Sequence, residues 1–95
     1  MLTHVVMFRF NDPADAAQAV LQLRGLAGRI PAARTLRVGT NLNTGSGAFE
    51  IILVSEHDDI AALEEYRTHP EHQAVLAWLA DHPHERVAFD TTDLA

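Results

Sequence analysis

Residues 2–10 read Leu2-Thr3-His4-Val5-Val6-Met7-Phe8-Arg9-Phe10 and are closed by Asn11-Asp12-Pro13. A run rich in β-branched and aromatic side chains, ended by a turn-and-cap cluster, predicts a strand. His4, Val6, Phe8 and Phe10 share one face, and Thr3, Val5, Met7 and Arg9 share the other. Both faces are apolar in the middle, whereas a strand with one wet face alternates more cleanly. Cover on both sides is therefore expected.

Downstream, Asp12 can cap a helix, with Pro13 at its first position and Asp15 near the positive end of the dipole. Ala16, Val20, Leu23, Ala27 and Ile30 then recur at three and four, which predicts a helix over 13–29. Gly25 and Gly28 weaken it and Pro31 ends it. Leu36, Val38, Thr40 and Leu42 alternate with polar neighbours as a second strand, and Asn43-Thr44-Gly45-Ser46-Gly47 reads as a hairpin loop. The third strand, Ala48 to Ser55, is apolar at nearly every position and is expected to be central and doubly buried. Asp58 or Ser55 caps a second helix, with Ile60, Leu63 and Tyr66 or Arg67 in phase. His69-Pro70 interrupts it and starts a third helix, with Val75, Leu76, Trp78 and Leu79 on its apolar side, stopped by Asp81-His82-Pro83. Glu85 to Thr91 is a last strand with Val87 and Phe89 on one side and Arg86, Ala88 and Asp90 on the other. The tail from Thr92 to Ala95 is expected to be loose.

The order strand, helix, strand, strand, helix, strand is the split β-α-β, ferredoxin-like plan of an α+β protein, with the helices on one sheet face. The other face would carry Val5, Met7, Val87 and Phe89. An apolar surface of that kind rarely stays open on a monomer, so a homodimer through the open sheet face is expected.

Composition narrows the function. Ninety-five residues suit one domain over 1–95, and 47% hydrophobic with 21% charged residues is ordinary for a globular chain. Thirteen Asp and Glu against seven Arg give a net charge of −6, which argues against a nucleic-acid binder or a polybasic membrane anchor. Without Cys there is no disulfide frame, no thiol nucleophile and no Cys-ligated zinc. Without Lys there is no Schiff-base chemistry. No apolar run approaches the length of a bilayer span, and Met1-Leu2-Thr3-His4 does not open a secretory signal, so a cytoplasmic protein without membrane contact is expected.

Six His in this length is a high count, and the segment Tyr66-Arg67-Thr68-His69-Pro70-Glu71-His72 is the most informative. With Pro70 at the first helical position, His72 is third. Its ring then lies near the positive end of the helix dipole, which disfavours imidazolium and leaves a neutral general base. Tyr66 offers a phenol that can donate to a developing oxyanion. His4, on the face with Val6 and Phe8, projects into an apolar interior and needs a partner there. A strand His is more often a satisfied core group than a catalyst, and His69 is read as a helix cap. His69-x-x-His72 and His82-x-His84 resemble metal-ligand pairs, but zinc wants three or four supported ligands, so no metal site is assigned. Phosphate-binding glycine motifs and a Gly-x-Ser-x-Gly elbow are absent.

The opening His4-Val5-Val6-Met7-Phe8-Arg9-Phe10, Ile30-Pro31, Tyr66-x-x-His69-Pro70-x-His72 and Arg86-Val87-x-x-Asp90 resemble the stress-responsive dimeric α/β-barrel (Dabb) family over nearly the whole chain. The resemblance implies a ferredoxin-like protomer whose sheets pair into a dimeric α+β barrel. Its members include polyketide cyclases of the olivetolic acid cyclase type, which close a ring by aldol condensation without metal or cofactor. Their catalytic positions map onto His4, Tyr66 and His72. On that likeness the expected function is a cofactor-independent polyketide cyclase acting on a small hydrophobic or aromatic carbonyl compound. Val6, Phe8, Leu53, Leu63, Val75 and Trp78 would line the pocket. Arg86 and Ala88 stand where apolar lining is expected, which points to a smaller pocket or an anionic substrate. The alternatives are a stress-responsive dimer that binds a hydrophobic ligand without catalysis, and a cofactor-free monooxygenase.

Overall fold

The computed structural model describes residues 1–94. The elements run β1 (Leu2–Phe10), α1 (Pro13–Arg24), β2 (Thr35–Thr40), β3 (Ile51–His57), α2 (Ile60–Thr68), α3 (Pro70–Ala80) and β4 (His84–Thr91). They form one four-stranded sheet in the order β2-β3-β1-β4, with every neighbouring pair antiparallel. This is the ferredoxin-like α+β arrangement, with β1 and β3 in the interior of the sheet.

The three helices cover one face. Val6, Phe8 and Phe10 of β1 and Ile51 and Leu53 of β3 are buried there against Ala19 and Leu23 of α1, Leu63 of α2, and Val75 and Leu79 of α3. The opposite face carries Met7, Ile52, Val87 and Phe89 in the open, with Phe89 65% exposed. A single copy therefore covers β1 and β3 on one side only, and the apolar residues that suggested double cover lie on the bare side. Among the described residues no helix is long and apolar enough to cross a membrane.

Several boundaries differ from the sequence expectation, each for a local reason. The Asp12 carboxylate caps α1 by accepting from Ala14 N at 2.9 Å, with Pro13 at the first position. The helix ends at Arg24, not at residue 29, because Gly25 caps it and Gly28 takes a left-handed φ of 76°. Leu26 and Ile30 are buried nonetheless, from a chain of turns. Leu42 is outside β2 and 100% exposed. The Asn41 and Asn43 side chains accept from the backbone N–H groups of Asn43 and Gly45, which turns the chain there. The third strand starts at Ile51 and runs on to His57, past Ser55.

The cap of α2 is Asp59, which accepts from Ala62 N at 2.8 Å. Asp58 accepts from Arg34 Nε and Nη2 at 2.9 and 2.8 Å, and Ser55 is engaged by His57. Ile60 is exposed, and α2 buries Leu63 and Tyr66. His69 ends α2 and caps α3, its Nδ1 accepting from Glu71 N at 3.1 Å. Residues 92–94 follow β4 without regular structure, and Ala95 of the expected tail lies outside the described residues.

Candidate active site

The β1–β4 ladder builds one side of a cavity between sheet and helices. Its register sets His4 opposite Asp90, Val6 opposite Ala88 and Phe8 opposite Arg86. All six belong to the covered face, because side chains alternate along both strands. His4, Val6, Phe8, Arg86 and Ala88 line a cavity of about 320 Å³ together with Leu53 of β3. Leu23 of α1 and Leu26 beyond it close one side. Tyr66, Arg67 and Thr68 at the end of α2, and His72, Gln73, Val75, Leu76 and Leu79 of α3, close the other. The volume falls at the lower end of the roughly 300–1,000 Å³ of small-molecule pockets.

His4 is buried, and its Nδ1 is hydrogen-bonded to Asp90 Oδ1. A carboxylate only accepts, so Nδ1 carries the proton in this bond and Nε2 is the nitrogen left for other partners. The other Asp90 oxygen accepts from Arg67 at 3.2 Å, and Arg67 also holds Glu64 at 2.8 Å. These pairs are partly exposed, so the chain Glu64–Arg67–Asp90–His4 orients more than it stabilises; each such pair is worth about 0–1 kcal/mol.

Tyr66 is 1% exposed, and burial pushes its phenol up to about 12. It stays protonated at neutral pH and serves as a donor. Its ring centroid lies 4.6 Å from that of His72 and 6.1 Å from that of His4. The three residues nominated from sequence are thus on one wall-and-floor junction.

His72 is half-buried, with its pKa below the ordinary imidazole value. Burial is the largest cause, and the positive charges of Arg67 and Arg86 add to it. The Arg67 carbonyl pulls the other way, but that oxygen already accepts from Gln73 Nε2 at 2.7 Å, and Nδ1 of His72 is buried without a partner. The neutral ring expected from the helix dipole is held neutral here chiefly by burial.

Sequence reading missed two residues. His57 is 0% exposed and sits under Tyr66, with ring centroids 4.9 Å apart. Its Nδ1–H donates to the Ala32 carbonyl at 2.8 Å, and its Nε2 accepts from the Ser55 hydroxyl at 2.8 Å. Burial lowers its pKa. It does not line the cavity but braces Tyr66 from behind. Ending the third strand at Ser55 hid it; the same-face spacing Leu53, Ser55, His57 was the available signal. Asp90 was part of a motif without a role, although it had been placed on the same side as Arg86 and Ala88.

Of the expected lining, Val6, Phe8, Leu53, Val75 and Arg86 are on the cavity, and Leu63 and Trp78 are not. Leu63 faces the core one turn before Tyr66. Trp78 lies past the cavity, against Phe10 at 6.2 Å and stacked on His82 at 3.9 Å. His82 and His84 direct Nδ1 to the carbonyls of Trp78 and His82 at 2.6 and 2.8 Å. Among the described residues no group of three or more His, Cys, Asp or Glu is placed to hold a metal ion.

The family model of the stress responsive A/B barrel domain (Dabb) matches residues 2–93. An uncharacterised protein of Streptomyces coelicolor is 32% identical over 82 residues, which cover 81% of this chain and 84% of that one. A crystal structure described as a dimeric ferredoxin-like protein of unknown function from Thermobifida fusca superposes with a TM-score of 0.80 at 29% identity, over 95% of this chain and 88% of the other. The hydroxynitrile lyase of Passiflora edulis has the same fold, with a TM-score of 0.74 at 13% identity, over 99% and 95% of the two chains.

Proposed function

The chain belongs to the stress responsive A/B barrel domain family, and from that premise we propose that it is a cofactor-independent enzyme acting by proton transfer on a small carbonyl compound. A polyketide cyclase that closes a ring by aldol addition is the reaction this reading favours. The observation that carries it is the convergence of His4, Tyr66 and His72 on one apolar cavity, with His4 held by Asp90.

In this reading His72, neutral at physiological pH, removes a proton from the carbon next to a carbonyl. The C–H electron pair moves into the carbonyl system, and the Tyr66 phenol donates a hydrogen bond to the enolate oxygen. The enolate carbon attacks a second carbonyl carbon of the same molecule and forms the new C–C bond. The resulting alkoxide takes a proton back from the His72 imidazolium. His4, fixed by Asp90, orients the ligand and relays a proton through Nε2. Val6, Phe8, Leu53 and Val75 supply the apolar contact that holds the carbon skeleton and excludes water.

The second copy of the chain belongs on the open sheet face, where Met7, Ile52, Val87 and Phe89 lie bare. Such a dimer buries apolar surface that one copy leaves in water.

The test is solvent deuterium exchange at the carbons next to the carbonyl of benzylacetone, followed by NMR. The protein is expected to accelerate exchange, and His72→Ala to reduce that acceleration by ~10²–10⁴-fold. Acceleration that survives in His72→Ala overturns the role of His72. Saturable binding with no acceleration identifies a ligand-binding dimer instead. Oxygen consumption on an aromatic polyketide would mark the monooxygenase chemistry, because aldol closure consumes none.

A further inference from the structure

Charge is distributed unevenly between the cavity and the rest of the molecule. The chain carries thirteen Asp and Glu against seven Arg. The cavity is lined by two of those arginines, Arg67 and Arg86, and by none of the carboxylates. Arg67 is committed to Glu64 and Asp90. Arg86 makes no ion pair among the described residues, whereas Arg67, the other arginine of the lining, makes two.

The strand fixes where that charge lies. Arg86 and Asp90 are on the same face of β4, opposite Phe8 and His4 of β1. Four residues of extended chain separate them, about 13 Å from Cα to Cα. The free guanidinium and the His4–Asp90 couple therefore stand at opposite ends of the cavity floor, with the apolar pair Val6 and Ala88 between them. The Arg86 charge also reaches His72 and is among the causes that hold its ring neutral. A guanidinium that faces a cavity without a counter-charge is matched by an anion on the ligand. A planar, singly charged carboxylate fits its fork in a bidentate pair.

We propose that Arg86 is the specificity-determining residue of this cavity and receives a carboxylate at the end of an apolar ligand, remote from His4. The preferred substrate class is then a carboxylic acid whose reacting carbonyl lies part-way along an apolar chain, with a neutral ketone of the same shape a weaker ligand. The proposal deepens the enzymatic reading and rests on the same cavity. Its test reads binding alone, so it succeeds or fails separately from the exchange experiment on His72.

The experiment is calorimetric titration of the full chain at low salt with two probes of matched shape, hydrocinnamate and hydrocinnamamide. The His72 imidazole NMR signals report occupancy of the cavity. Because Arg86 is exposed, the expected preference for the carboxylate is about tenfold, at the low end for a charge-assisted pair. Arg86→Gln is expected to abolish the preference of the carboxylate over the amide, and Arg86→Lys to keep part of it. Circular dichroism checks that both variants are folded. Equal affinity of the two probes for the wild-type chain, no saturable binding of either, or a preference that survives in Arg86→Gln overturns the assignment. Displacement of hydrocinnamate by inorganic phosphate at equal concentration also overturns it, in favour of a general anion site.

Discussion

His4 and Asp90 face one another across the β1–β4 ladder, and the imidazole Nδ1 is hydrogen-bonded to the carboxylate. The carboxylate selects the tautomer with Nδ1 protonated and leaves Nε2 free. Asp90→Asn keeps the shape but lets the amide N–H₂ face the ring, which favours the opposite tautomer. Turnover is expected to fall by about 10²-fold, the lower end of the range for a general acid–base group, because Asp90 is partly open to solvent. The thermal midpoint is expected to change little, since partly exposed pairs contribute about 0–1 kcal/mol. Parallel measurement of kcat and of the melting midpoint separates the two effects, and a large stability loss with intact turnover would make the pair a scaffold contact.

Tyr66 acts as a donor in the proposed reaction because its phenol, pushed up to about 12 by burial, remains protonated. Tyr66→Phe keeps the ring contacts with His57 and His72 and removes only the hydroxyl. The expected outcome is a loss of ~10²–10³ in kcat with KM nearly unchanged, as for a group whose hydrogen bond strengthens in the transition state. A change confined to KM would assign the hydroxyl to ground-state binding.

The fold was legible in the sequence because its signals are local. The two-residue period of Leu2–Phe10 gives β1 and puts His4 on the side of Val6 and Phe8. Asp12-Pro13 starts α1, and His69-Pro70 divides α2 from α3. The site was legible in part. Tyr66 and His72 lie within two turns on consecutive helices, so their meeting follows from short-range geometry. The His4–Asp90 pair depends on the register of two strands from opposite ends of the chain, which no local pattern sets. His57 was lost to a strand boundary two residues short. Trp78 shares the apolar side of α3 with Val75, and sequence alone does not say that the cavity ends before it.

Stability is expected to depend on pH through the two histidines held below the ordinary value of 6.5, His57 and His72, in both cases chiefly by burial. Above that value both rings are neutral in the folded and unfolded chains, and they contribute no pH dependence. Below it the unfolded chain takes up protons that the folded chain still excludes, so stability falls as pH drops, until pH passes the folded values. Thermal melts from about pH 7.5 to about pH 5 are expected to show this decline. His57→Gln is expected to lower the midpoint throughout, because Ala32 and Ser55 lose their partner, and to flatten the slope. An unchanged slope would remove His57 as its source.

The bare sheet face provides the last prediction. Phe89 is 65% exposed in the single chain and lies beside Val5 of β1 in the ladder, with Met7 and Val87 forming the next pair. If a second copy covers this face by two-fold symmetry, one substitution is felt twice. Loss of a buried Phe is worth about 1.5–3 kcal/mol, so Phe89→Glu removes about 3–6 kcal/mol from the pair, or ~10²–10⁴ in the dissociation constant. A carboxylate facing its own copy adds repulsion to that loss. Light scattering after size exclusion is expected to give the mass of a dimer for the wild-type chain and of a monomer for Phe89→Glu. Circular dichroism should be unchanged, since the side chain is not part of the protomer core. A variant that keeps the dimer mass places the interface elsewhere on the molecule and leaves the apolar face to another occupant.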